Sequence, residues 1–117
     1  MDRKSTHQFR KMLQAKLQEL QRSTSQVRQQ GRALEASDSK DEGDRALISQ
    51  TKDMLFRQSA QNAALVSSIR SALARIEDGS FGTCLNCEQE INMKRLKAIP
   101  WVRYCVACQE LIENGGS

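Results

Sequence analysis

Two CxxC pairs, CLNC at 84–87 and CVAC at 105–108, constrain this 117-residue chain more than any other feature. Each pair sets two sulfurs on one tight knuckle, and the seventeen residues between the pairs suit two knuckles closing on one metal ion. Four thiolates complete the tetrahedron that Zn²⁺ favours, with sulfur at about 2.3 Å. Cys84, Cys87, Cys105 and Cys108 are therefore expected to hold one structural zinc. With all four positions filled by protein, the metal supports structure and does not activate water. The alternative for paired cysteines is disulfide or redox chemistry. A metal staple also answers the composition, which is only 38% hydrophobic with five aromatic residues, too little for a large globular core.

The rest of the chain reads as helix. From Ser5 to about Glu35 there is no Pro and Gly occurs once, at Gly31, while Leu13, Leu20, Val27 and Leu34 recur every seven residues. The segment EASDSKDEGD at 35–44 breaks the period and reads as a turn. A second run from about Ala46 to Glu77 places Ile48, Leu55, Asn62, Ile69 and Ile76 on one column and Ser59, Val66 and Leu73 on another. Two such helices bury their stripes most simply as an antiparallel hairpin, since a compact bundle needs further helices that the sequence does not supply. Helix two is expected to stop at Asp78-Gly79, where Gly accepts the left-handed conformation. The fold class is thus mainly α: a long helical hairpin over 1–79 with a tip turn near 36–45, a small four-cysteine zinc module over 80–112, and a frayed tail at 113–117.

Two further clusters carry chemistry. Asp41 and Asp44 in DEGDRA begin the second helix, where carboxylates cap exposed N–H groups and complement the dipole. The same two groups also present paired negative charge at a hairpin tip. Between the knuckles, Lys94, Arg95, Lys97 and Arg103 accompany Trp101 and Tyr104, a combination that binds nucleic acid in some proteins. A solvated basic face around a net-negative zinc site is the plainer reading, with Trp101 after Pro100 as the module's small core. The formal net charge of +4 falls to about +2 once four thiolates and one Zn²⁺ are counted, which weakens any general affinity for nucleic acid. His7, the single histidine, lies in a polar stretch and is read as solvated.

Taken together, DEGDRA at a tip, IEDGSFGTCLNCEQEI at the end of the second helix, and RLKAIP before YCVAC resemble the DksA/TraR family of bacterial RNA-polymerase-binding transcription factors. The resemblance covers nearly the whole chain. It implies a coiled-coil arm that enters the polymerase secondary channel, with the tip motif DxxDxA, here Asp41, Asp44 and Ala46, directed at the active centre. It implies a supporting role at the arm's base for the zinc module. Two departures stand out: the amino-terminal extension of the better-known members is nearly absent, and Glu88 stands where many relatives have Gly after the second cysteine. Counting without gaps from the tip motif to the cysteines, the resemblance implies that the basic residues lining the (p)ppGpp site in responsive members fall at Ser68, Ile99 and Gln109, none of them charged. An anionic tetraphosphate needs cationic partners, so little direct (p)ppGpp response is expected.

The function expected from this is that of a monomeric, non-enzymatic regulator that binds bacterial RNA polymerase and alters promoter-complex stability, with no strong DNA binding of its own. A Gre-like stimulator of transcript cleavage, using tip carboxylates to bring a second Mg²⁺, is one alternative, although Gre-like factors lack the CxxC pairs. A zinc ribbon that binds nucleic acid directly is another, and it leaves the hairpin without a role. The amino terminus has no apolar h-region and no run of eighteen apolar residues occurs, which predicts a cytoplasmic location and no membrane partner.

Overall fold

The computed structural model describes residues 1–36 and 41–115. Four helices follow one another: α1 (Arg3–Ala36), α2 (Glu42–Asp78), α3 (Met93–Ala98) and α4 (Val106–Glu113). Among the described residues the only β pairing is an isolated antiparallel bridge between Thr83 and Glu90. The architecture is mainly α, a long antiparallel helical hairpin followed by a small four-cysteine module. The chain forms two compact units, one of Leu17–Val66 and one of Met1–Lys16 with Ser67–Ser117. Residues 37–40 of the expected tip turn and 116–117 of the expected tail lie outside the described residues.

In the unit of Leu17–Val66, the heptad columns form the seam between α1 and α2. Leu20 and Asn62 are buried, and Val27, Leu34, Ile48, Leu55, Ser59 and Val66 are half-buried. The seam has a polar layer: the Asn62 amide donates to the Ser23 hydroxyl at 3.0 Å and accepts from the Gln58 amide at 3.1 Å. A buried polar side chain in an apolar seam fixes register at a cost in stability, because only one alignment supplies its partner.

In the other unit, the first turns of α1 and the last turns of α2 meet the cysteine module over one apolar core. Leu13, Ile69, Ala72 and Leu96 are almost wholly buried, and the Phe9 and Phe81 rings sit 5.3 Å apart in a tilted pair. Asp2 starts α1 by accepting from the Ser5 N–H at 2.7 Å, which holds its carboxyl below the usual range. α2 stops as expected: Gly79 has φ +84°, and the Ser80 and Phe81 N–H groups both return to the Arg75 carbonyl. Arg75 is buried, donating to Ser71 and to the Val102 carbonyl, and burial followed by the neighbouring Arg103 lowers its pKa. Trp101, expected at the heart of the module, is only half-buried; Phe81, Ile91, Leu96, Pro100 and Val102 fill that core instead. The indole borders a surface cleft.

Candidate functional site

The first knuckle is built by backbone hydrogen bonds. The Glu88 N–H returns to the Cys84 carbonyl, the Cys84 N–H donates to the Gln89 carbonyl, and the Leu85 N–H reaches across to the Arg103 carbonyl. Closing the loop puts Glu88 at φ +63°, the left-handed region that favours Gly. The second knuckle is the start of a helix: Cys105 occupies the N-cap of α4, and Cys108 lies in its first turn.

These two knuckles bring the four sulfurs within 4.8 Å of one another. Cys87 and Cys105 are 3.8 Å apart, about the edge of a tetrahedron whose centre lies about 2.3 Å from each sulfur, and far beyond the ~2.05 Å of a disulfide. All four cysteines are free. The crowded sulfurs perturb one another's protonation. For Cys84, burial raises the pKa, but the N–H groups of Cys87, Cys105 and Asn86 outweigh it and bring the thiol down to about 6. Asn86 also donates to Cys108, yet its neighbouring thiols push that group up to about 12. Four thiolates cannot crowd together without a cation between them, and a divalent ion supplies it. The donor set therefore fits one structural zinc, whose bonds would tie residues 84–87 to the start of α4.

The tip carboxylates belong to the unit of Leu17–Val66. The Asp41 carboxylate accepts from the Gly43 N–H at 2.9 Å and its carbonyl from the Arg45 N–H at 3.0 Å, so Asp41 caps α2. Asp44 sits in the first turn, and both carboxylates and Ala46 are exposed. Capping thus accounts for the position of Asp41, while Ala46 has no part in it.

The basic residues between the knuckles do not form one face. Lys94 and Lys97 are exposed, whereas Arg95 donates to the Tyr104 carbonyl at 3.1 Å and Arg103 to the Ser68 hydroxyl at 3.2 Å. Those two guanidiniums line a cleft of about 650 Å³ that also receives Trp101. Ser68, Ile99 and Gln109, singled out separately by motif counting, line this same cleft. Sequence reasoning missed that Arg95 and Arg103 share it, and that Glu110 and Glu113 stand there as well. The four-residue offset that sets Gln109 and Glu113 on one face of α4 was the available signal.

The prokaryotic DksA/TraR C4-type zinc-finger family matches residues 79–114. An uncharacterized protein of Aquifex aeolicus is 36% identical over 105 residues, covering 89% of this chain and 72% of that one. The RNA polymerase-binding transcription factor DksA of Escherichia coli K12 is 33% identical over 79 residues, 68% of this chain. The matched stretch spans about half of that relative, 52% of its length. Among solved structures, the transcription factor DksA2 from Pseudomonas aeruginosa aligns with a TM-score of 0.85 at 27% identity, covering 97% of this chain and 86% of that one.

Proposed function

The chain belongs to the DksA/TraR family of C4-type zinc-finger proteins, and on that premise we propose that it is a transcriptional regulator acting on bacterial RNA polymerase. In this reading the hairpin enters the polymerase secondary channel and changes the lifetime of promoter complexes without catalysing a reaction itself. Cys84, Cys87, Cys105 and Cys108 hold the one structural zinc. Asp44 and Ala46 act at the polymerase active centre, with Asp41 supporting them by capping the start of α2. The observation that carries this reading is the exposed DxxDxA motif at the start of a 37-residue helix whose other side is sealed in a two-helix seam. A long rigid element is suited to carrying charge into a narrow passage, and a monomer suffices for it. Direct response to (p)ppGpp is weak or absent, because Ser68, Ile99 and Gln109 supply no positive charge to the cleft.

Asp44→Asn tests the mechanism. The substitution keeps shape and removes one exposed charge, so the fold, zinc content and polymerase affinity should match the parent protein. Promoter-complex lifetime, followed by in vitro transcription, should no longer respond. An undiminished response in Asp44→Asn would sink the tip mechanism. Cleavage of backtracked RNA stimulated by the parent protein would move the assignment to the Gre-like class.

A further inference from the structure

The charge of this chain is unevenly placed. Arg3, Lys4, Arg10, Lys11 and Lys16 face only Asp2 within the first sixteen residues, a net +4 that equals the formal excess of the entire chain. The remaining residues are neutral in formal sum, and about −2 once the zinc-bound thiolates are counted. Arg10 is engaged by Glu77 at 3.2 Å, but Lys4 and Lys11 are exposed. One heptad apart, they fall on the same face of α1, beside Gln8. α3 adds exposed Lys94 and Lys97 on the same compact unit.

Lys97 lines an apolar groove, and Lys4 and Lys11 lie on the α1 face next to its Gln8 edge. Ser5, Gln8, Phe9 and Met12 of α1 and Met93 and Lys97 of α3 enclose about 380 Å³. Met12 and Met93 remain 41% and 43% exposed, while Phe9 forms a closed floor. Methionine side chains are flexible and polarizable, and they recur at surfaces that accept a partner's apolar side chain. A groove of this size holds one such side chain, and its cationic rim selects what surrounds it. Nucleic acid would satisfy the lysines but would leave the methionine-lined groove unfilled.

We propose that the groove between the first turns of α1 and α3 docks an acidic polypeptide segment of RNA polymerase that bears one apolar anchor side chain. The occupant is fixed by charge complementarity on the rim and by the apolar floor. The inference rests on the polymerase reading above and assigns a gripping surface to the unit that carries the cysteines. Tip action and docking are then separable, since no tip residue belongs to the groove.

The test is equilibrium binding of the full zinc-loaded chain to its polymerase at low and high salt. Two variants are compared with the parent protein: Lys4→Glu/Lys11→Glu/Lys97→Glu, and Met12→Gln/Met93→Gln. The charge reversal should weaken binding by about tenfold or more at low salt, with a smaller difference at high salt. The Met12→Gln/Met93→Gln pair should weaken binding at both salt concentrations. A photo-crosslinking residue at position 93 should capture a polymerase peptide rich in Asp and Glu. Circular dichroism and zinc content check each variant, and the exposed lysine set decides the matter if the methionine pair fails to fold. Parental affinity in the charge-reversed protein, or capture of nucleic acid at position 93, overturns the docking surface and leaves the polymerase reading intact. Failure of the parent protein to bind polymerase at all overturns that reading, and the docking surface with it.

Discussion

At the residue scale, Glu88 is the clearest point of strain. It is the one described non-glycine residue with positive φ, at +63°, and it lies directly after Cys87. The left-handed conformation costs a residue with a Cβ about 1–2 kcal/mol, part of which a glycine gives back through a freer unfolded chain. Glu88→Gly should therefore stabilise the zinc-loaded fold by about 1 kcal/mol and slow metal loss to a chelator. Thermal unfolding and the rate of zinc transfer to a chromogenic chelator check it. A lower melting temperature would mean that the Glu88 side chain contributes more than its backbone costs. The sequence raised this question through the residue type alone, and the hydrogen bond from Glu88 N–H to the Cys84 carbonyl supplies the reason the chain must turn there.

At the scale of elements, Asn62 governs the helical seam. Its amide is 2% exposed and shared between Ser23 and Gln58, so removing it strands polar groups whereas replacing the layer removes the need for them. Asn62→Ala should cost about 1–3 kcal/mol. Ser23→Ala/Asn62→Leu should regain most of that while loosening the register, which denaturant unfolding and hydrogen exchange along α1 and α2 would reveal. The columns that define this seam were legible in sequence, because a sustained heptad period has few structural solutions, and the stop at Gly79 followed from one residue. The helix began earlier than periodicity suggested, at Glu42 and not near Ala46, because Asp41 caps ahead of the first apolar position. The cysteine spacing gave the metal cluster for a similar reason, being a local constraint on four sulfurs. Trp101 was misplaced because burial within the module is decided by tertiary packing, which leaves the indole at the cleft. The inward turn of Arg95 and Arg103 was likewise invisible, since their acceptors, Tyr104 O and Ser68 Oγ, come together only through tertiary packing.

For the molecule as a whole, the proposed regulation depends on what the cleft by Trp101 makes of an anion. Motif counting led to three uncharged positions, Ser68, Ile99 and Gln109, yet Arg95 and Arg103 line the cleft they share. On the reading proposed above, their presence does not restore a tetraphosphate site. Each guanidinium already donates to a neutral acceptor, and Glu110 and Glu113 bring the charge of the lining side chains back to zero. A ligand carrying several negative charges then meets two carboxylates together with its two cations, and the desolvation cost is not recovered. Ser68→Lys/Ile99→Arg/Gln109→Lys would change that balance to +3, and it would also release Arg103 from the Ser68 hydroxyl. The triple variant in complex with polymerase should bind (p)ppGpp at least about tenfold more tightly than the parent complex, since charge-assisted contacts contribute roughly 1.5–3 kcal/mol each. Its effect on promoter-complex lifetime should become (p)ppGpp-dependent, while Asp44→Asn in the same background should bind the nucleotide equally well and leave transcription unchanged. Strong, factor-dependent (p)ppGpp affinity in the parent complex would show that the neutral balance of the cleft does not control the response.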